Sequence, residues 1–411
     1  MNTLVKVPSK LCPYLSGFSD LFTRPSYTSF CHITASIAVC DKSKTIYNLH
    51  ETMADDNDEK KGRSSYNWFI TDGDWDEEEI AQRKADLFFE EIGIKSGDRI
   101  LLIIDDTYNE KKGRHTEGVG KFFDHSKGYI WGNSFVTSVI QAKGLFIPHK
   151  AKMYVKKGEA GSDFKSKIQI AVNDIINPLK VPIGTKLMVV FDSWWYSAAL
   201  IKTCRELGYH VTCQIKSDKK ILLDSDESPQ ARSYAKRFEE KDFKEMKIKA
   251  RGKKKFYFII DQIVGLDKNR QVRLVISKER KDAEPKYYIS TDVDLSPKEI
   301  ISIYEDRWNI ETAHREANQK LGFKDYQLRS KHAIERFIQL VFTIWTGILL
   351  VEIENPPNGP KKKTLGELVD QVRAESIIDL MVSVMEHFNM PIPDEGGLIY
   401  KLRALGLKLG K

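Results

Sequence analysis

Ile100-Leu101-Leu102-Ile103-Ile104-Asp105-Asp106 is the stretch on which the reading of this chain turns. A short, unbroken apolar run ending on an acid predicts a strand buried on both faces whose end emerges at the edge of a sheet. A second run of the same kind, Leu187-Met188-Val189-Val190-Phe191, ends on Asp192. A third acid, Glu311, follows Tyr304-Glu305-Asp306-Arg307-Trp308-Asn309-Ile310 inside a predicted helix. Two strand ends and one helix can bring three carboxylates together. Such a set can hold two divalent cations about 3.5–4 Å apart, one activating water or a 3′-hydroxyl and the other stabilising the leaving oxygen. Hard oxygen ligands select Mg²⁺ or Mn²⁺.

No single acid carries this reading. An aspartate at a strand end is most often a turn residue and a helical glutamate is most often solvated. The joint occurrence on strand, strand and helix gives the pattern its weight. Asp106 competes with Asp105, which is preferred because it closes the apolar run. His115, His125 and His314 are candidate assistants, although an isolated histidine beside a basic loop is more often a surface residue or a phosphate contact.

The 411 residues allow two to four domains with real cores. The net charge of +7 suits nucleic-acid contact when it is clustered. Clusters occur at Lys111-Lys112-Gly113-Arg114-His115, residues 216–220, residues 247–255 and Lys361-Lys362-Lys363. The five cysteines show no CxxC or comparable ligand spacing, which argues against structural zinc and for reduced thiols in a cytoplasmic protein. No signal-peptide pattern opens the chain. Residues 337–351 are interrupted by Gln339, Thr343 and Thr346 and predict a buried helix, so no membrane partner is expected. Gly118-Val119-Gly120-Lys121 is not a phosphate loop, because His115 and Phe122 stand where a glycine and a Ser/Thr are required. Trp194-Trp195-Tyr196 is expected to pack in the core rather than to stack on bases.

Five regions are expected: a helical DNA-binding region over 1–98, the first part of an α/β catalytic core over 99–215, a β-rich insertion over 216–296, the last helices of the core over 297–351, and a helical appendage over 352–411. Acidic residues between 51 and 63 predict a flexible linker. Within the core, strands are predicted near 129–139 and 144–155, and a helix over 164–177 that Pro178 ends. Ser193 is the expected N-cap of a helix reaching Gly208, and a strand follows over 209–215. The insertion should hold strands over 256–264, 272–277 and 286–290. Ser296-Pro297-Lys298-Glu299 combines a serine cap, an early proline and a capping glutamate, and starts the last catalytic helix. On that helix, taken as continuous, Tyr304, Arg307, Glu311, Arg315 and Asn318 form one stripe beside an apolar stripe of Ile303, Ile310, Ala317 and Leu321. The apolar stripe would dock the helix on the sheet. Glu311 would then face the two aspartates, while Tyr304, Arg307 and Arg315 would meet backbone phosphates.

These segments resemble the DDE transposases of prokaryotic insertion sequences, in the group whose last motif reads Tyr-x2-Arg-x3-Glu-x6-Lys. The match is carried by Ile104-Asp105-Asp106-Thr107 with Lys112-Gly113 and Gly118-Val119-Gly120, by Phe191-Asp192-Ser193-Trp194-Trp195, and by Tyr304-x2-Arg307-Trp308-x-Ile310-Glu311. Leu321-Gly322 and residues 325–330 also resemble the family, and the likeness spans most of 65–350. It implies a ribonuclease H-like mixed sheet interrupted by a β insertion. It also implies that Asp105, Asp192 and Glu311 bind two Mg²⁺ (or Mn²⁺) ions to cut transposon ends and join them to target DNA. Double-stranded DNA and a second copy of the chain, as a dimer on DNA, are the implied partners, with Lys112, Arg114, Tyr304, Arg307, Arg315 and Lys320 as candidate DNA contacts. The family's lysine, seven residues after the glutamate, is Asn318 here, and Lys320 is the nearest lysine. Residues 216–296 contain no tryptophan, so a base flipped there would have to stack on Tyr257, Phe258, Tyr287 or Tyr288. A metal-dependent DNA nuclease without strand transfer and a catalytically silent DNA-binding descendant are the alternatives.

Overall fold

The computed structural model describes residues 3–54, 60–124, 127–250, 253–267, 270–354, 363–392 and 397. Residues 55–59 of the predicted acidic linker, His125, Lys361, Lys362 and most of the chain beyond 392 lie outside the described residues.

Strand β1 (Arg99–Glu110) sits mid-sheet because Ile100, Leu102 and Ile104 bury on one face while Leu101 and Ile103 bury on the other. It pairs antiparallel with β3 (Gly128–Ala142), which carries β2 (Gly120–Asp124) and β4 (Leu145–Tyr154). On its other side β1 runs parallel to β5 (Lys186–Phe191), and β5 runs parallel to β6 (His210–Ile215). The order β4-β3-β1-β5-β6, antiparallel then parallel, is that of a ribonuclease H-like sheet.

The predicted insertion does not form a separate layer. It continues the same sheet, because β10 (Lys286–Ser290) pairs antiparallel with β6 and is followed outward by β9 (Arg270–Lys278), β8 (Lys253–Asp267) and β7 (Lys244–Ala250). Strand β7 was not anticipated. Its alternation of Met246 and Ile248 is hidden among lysines and a glutamate, a composition suited to an edge strand that must not recruit another chain. Tyr257, Tyr287 and Tyr288 are buried in this part of the sheet, which removes them as candidates for stacking on a flipped base.

Helices cover both faces. Besides short helices at Cys12–Ser16, Ile46–Thr52, Lys157–Ala160 and Ala231–Ala235, they are in chain order α1 (Arg24–Val39), α2 (Arg63–Thr71), α3 (Glu77–Glu91), α4 (Lys167–Ile170, continued by a π turn Ala171–Ile176), α5 (Ala198–Glu206), α6 (Pro297–Glu305), α7 (Trp308–Leu321), α8 (Lys331–Glu354) and α9 (Leu365–His387). Helix α8 packs against β4, α3, α1 and α9. It is long and apolar enough to cross a membrane, yet 94% of its most apolar window is buried within the protein, so core packing accounts for its composition. The opposite face of β1 packs on α6 and α7 through Ile300, Ile301, Ile310 and Ala313.

Two helix boundaries differ from expectation. Ser193 does not cap α5; Ser197 does, accepting from the Leu200 N–H, and the intervening residues form a turn around Asp192. The last catalytic helix is also two helices. Its start is as predicted, with Ser296 and Glu299 in a reciprocal cap, but the chain breaks at Asp306 and Arg307. Gln141 on β3 holds this break, donating to Asp306 Oδ2 at 2.7 Å and accepting from Asn309 Nδ2 at 2.6 Å. A glutamine distant in sequence therefore overrides the helical periodicity.

Candidate active site

Strand pairing brings the two aspartates side by side. Leu102 is opposite Val189 and Ile103 opposite Val190 in the parallel β1–β5 ladder, so two residues further on Asp105 and Asp192 stand at the same level. Asp192 follows the end of β5, whereas β1 does not end at Asp105 as its apolar run predicts but continues to Glu110 because β3 still pairs with it. Asp192 ends its strand in a turn, its Oδ1 accepting the Trp194 N–H at 2.9 Å. Glu311 comes from the first turn of α7, on the sheet face where Leu101 and Ile103 are buried.

Arg307 ties the acids together. Its Nη1 donates to Asp105 Oδ2 at 2.7 Å and its Nη2 to Glu311 Oε1 at 3.2 Å. All three carboxylates raise the affinity of this guanidinium for its proton, although burial opposes them. Burial, opposed by Arg307 and reinforced by Asp192 and Asp106, leaves the Asp105 carboxyl raised to about 7. Mutual repulsion in a partly desolvated place is the environment a multivalent cation relieves. Among the described residues, no three His, Cys, Asp or Glu side chains stand close enough to hold a metal as placed, and a guanidinium occupies the space between Asp105 and Glu311. The donor set is oxygen only and converges on one positive charge, which fits Mg²⁺ or Mn²⁺ in chemistry.

Asp106 points to the opposite face. It pairs with the Lys167 ammonium and accepts from the Tyr108 hydroxyl at 3.1 Å. Behind Asp105, the Thr137 hydroxyl donates to the Asp105 carbonyl at 3.0 Å and lies 2.8 Å from His314 Nε2. Desolvation pushes His314 down to about 3, so it is a neutral support for the strand. Its neutral ring donates to Thr137 when the hydroxyl proton is engaged by the carbonyl. His115 is exposed in the loop after β1, away from this support.

The candidate DNA contacts separate into three groups. Lys112, Arg114 and Arg315 are exposed, as is Asn318. Arg307 is not open to phosphates here, because it is engaged with Asp105 and Glu311. Tyr304 lies on α6 rather than on the Glu311 stripe and donates to Gln214 Oε1 at 2.8 Å, with its ring 4.8 Å from that of Tyr288. Lys320 packs over Gly366 at the start of α9. Lys111 also turns inward, donating to the Tyr326 carbonyl at 2.9 Å with its ammonium 3.5 Å from the Tyr326 ring centre. The aromatic cluster divides as well: Trp195 is buried, but Trp194 is 51% exposed next to Asp192. The ion pairs of Arg307 and Lys167, the Gln141 strap and the exposure of Trp194 carried no sequence signal, since each depends on contacts between distant segments.

Comparison with known proteins bears on the same residues. A family profile described as "DDE superfamily endonuclease" matches residues 18–251, which include Asp105 and Asp192. A second, "Transposase DDE domain", matches residues 165–346, which include Asp192 and Glu311. The chain is 22% identical over 344 residues to a probable transposase for insertion sequence element IS701 of Microchaete diplosiphon, covering 81% of this chain and 85% of the relative. A solved piggyBac transposase synaptic complex with hairpin DNA aligns at a TM-score of 0.46 and 13% identity, over 92% of this chain and 79% of that one.

Proposed function

The chain belongs to the DDE superfamily of endonucleases, as a DNA transposase of the insertion-sequence type, and from that premise we propose that it cuts transposon ends and joins the freed 3′-hydroxyls to target DNA. The observation that carries this reading is the sharing of one guanidinium by Asp105 and Glu311, with Asp192 in its field. Asp105, Asp192 and Glu311 would hold the two divalent cations. Bound there, the cations supply charge stabilisation to the attacking and leaving oxygens of an in-line displacement.

The remaining roles belong to the chain's own side chains. Arg307 neutralises the acids before cations arrive. Tyr304, hydrogen-bonded to Gln214, positions α6 relative to the sheet and so fixes where Arg307 begins. Lys112, Arg114 and Arg315 are exposed cations suited to backbone phosphates. Thr137 and neutral His314 hold the Asp105 backbone in register. A dimer completed on DNA is the expected active species, because two ends must be processed together and two-fold symmetry is the commonest way to hold two equal sites.

The test uses the full chain with a duplex carrying its own element's inverted repeats and a supercoiled target, in Mg²⁺ and in Mn²⁺. Cleaved ends and joined products are expected in both. Cleavage without joining would reduce the reading to a nuclease, and binding without cleavage to a silent descendant. Light scattering should show dimers when end DNA is added; a stable dimer without DNA would contradict the order of assembly.

A further inference from the structure

Beyond the site, β2 and the start of β3 form a two-stranded ribbon with unlike faces. Phe122 and Ile130 are buried on one face, where the Phe122 ring lies 5.9 Å from Tyr108 and 6.2 Å from Tyr154. On the other face Tyr129 is 71% exposed, Phe123 49% and Trp131 41%. The register places Lys121 opposite Trp131 and Phe123 opposite Tyr129. The rings of Phe123 and Tyr129 meet edge to face at 5.3 Å. Cations interleave with them: the Lys121 ammonium lies 4.5 Å from the Tyr129 ring centre, and the Arg114 guanidinium 5.8 Å from that of Trp131. Lys112 and Lys127, beside the ribbon, are exposed.

The exposed rings share a sheet face with the site. Thr137 is the partner of Asp105 and meets His314 of α7 on that face. Trp131 and Tyr129 are even numbers of residues away along the unbroken β1–β3 and β2–β3 ladders, so strand alternation sends them the same way. At about 3.3 Å per residue they stand roughly 20–26 Å beyond Thr137. With about 3.4 Å of helix axis per nucleotide of one duplex strand, that distance corresponds to roughly six to eight nucleotides of intervening duplex and to fewer of an extended single strand.

We propose that this face of the β2–β3 ribbon is a base-stacking platform for a single-stranded stretch of DNA lying roughly 20–26 Å from the reacting phosphate. Exposed aromatic faces interleaved with cations are what an unpaired strand requires, since bases supply π-faces and the backbone supplies negative charge. A duplex would offer only its phosphates and would leave the rings in water. The proposal rests on the reading of this chain as an enzyme acting on DNA.

The test measures fluorescence anisotropy of a labelled oligothymidylate and of a blunt duplex of equal length, with the full chain. Trp131→Ala with Tyr129→Ala should weaken oligothymidylate binding roughly tenfold or more, because stacking is worth about 1–3 kcal/mol per base. Duplex affinity should stay within about twofold. Trp131→Phe with Tyr129→Phe should retain most of the affinity, and this pair carries the test should the alanine pair melt early. Lys121→Gln should flatten the slope of log K against log salt for the single strand by about 0.7. Unchanged oligothymidylate binding, or equal loss on both probes, would overturn the stacking platform. So would a loss of self-association with no loss of oligothymidylate binding, since the face would then be a contact between copies. A wild-type chain that binds neither probe would instead remove the proposed function, and the inference with it.

Discussion

Asp105 and Asp106 are consecutive in one strand, 18% and 21% exposed, and each is paired with one cation, yet strand alternation sends them into different surroundings. Asp106 meets Lys167 and the Tyr108 hydroxyl on the α4 side, and among the described residues no second carboxylate pairs with Lys167. Asp105 shares Arg307 with Glu311 and feels the charge of Asp192, and burial raises its proton affinity. One aspartate is locally balanced and the other is part of an acid cluster with too little positive charge. The comparison teaches that surplus negative charge beside the end of β5, rather than acidity alone, marks the candidate cation site.

The largest expected effect separates the two positions directly. Asp105→Ala, Asp192→Ala and Glu311→Ala should each lower divalent-cation-dependent cleavage about a thousandfold or more, since metal-borne charge stabilisation is worth several kcal/mol. Their DNA affinity should change little, because phosphate contacts supply most of it. Asp106→Ala should keep activity within about tenfold, as expected for an indirect contribution through Lys167. Gel assays of cleavage beside binding isotherms check both. An Asp106 variant as inactive as the Asp105 variant would erase the distinction between the faces.

Next in size is the removal of the shared cation. Arg307→Ala leaves Asp105 and Glu311 without their counter-charge and should cost about 3 kcal/mol, the lower end for breaking a buried pair because Glu311 is 36% exposed. In thermal melts the variant should unfold earlier than wild type without divalent cations and gain more stability than wild type when Mn²⁺ is added. Equal gains would mean that cation and guanidinium do not compete for the same acids. A smaller loss, about 1–2 kcal/mol with unchanged DNA affinity, is expected for Gln141→Ala, which leaves two polar partners at the helix break unpaired. The smallest effect is electrostatic: Asn318→Lys, exposed on α7, should steepen the slope of log K against log salt by about 0.9 on end DNA. An unchanged slope would place position 318 away from the duplex.

The sequence made the site's acids legible because each followed a local rule. Apolar runs drew attention to Asp105 and Asp192, of which only Asp192 lies at a strand end, since pairing with β3 carries β1 on to Glu110. The Ser296 cap located the start of the helical segment that leads to Glu311. What it concealed was set by long-range contacts. The break at Asp306 and Arg307 needs Gln141 from β3, so a continuous helical stripe misplaced Tyr304 and left Arg307 facing phosphates rather than acids. Lysines masked the alternation of β7, and nothing local could say that β10 would pair with β6 and extend the central sheet. Trp194 and Trp195 are adjacent, but the turn capped by Asp192 buries one and exposes the other.

The central claim is that Asp105, Asp192 and Glu311 jointly hold divalent cations. Calorimetric titration of the full chain with Mn²⁺ tests it most directly, comparing wild type with the three single alanine variants and with Asp106→Ala. Wild type and Asp106→Ala should bind alike, while each of the other three should bind at least about tenfold more weakly, as expected when a ligand to the metal is lost. Undiminished Mn²⁺ binding by the three variants, or an equal loss in Asp106→Ala, would contradict the account.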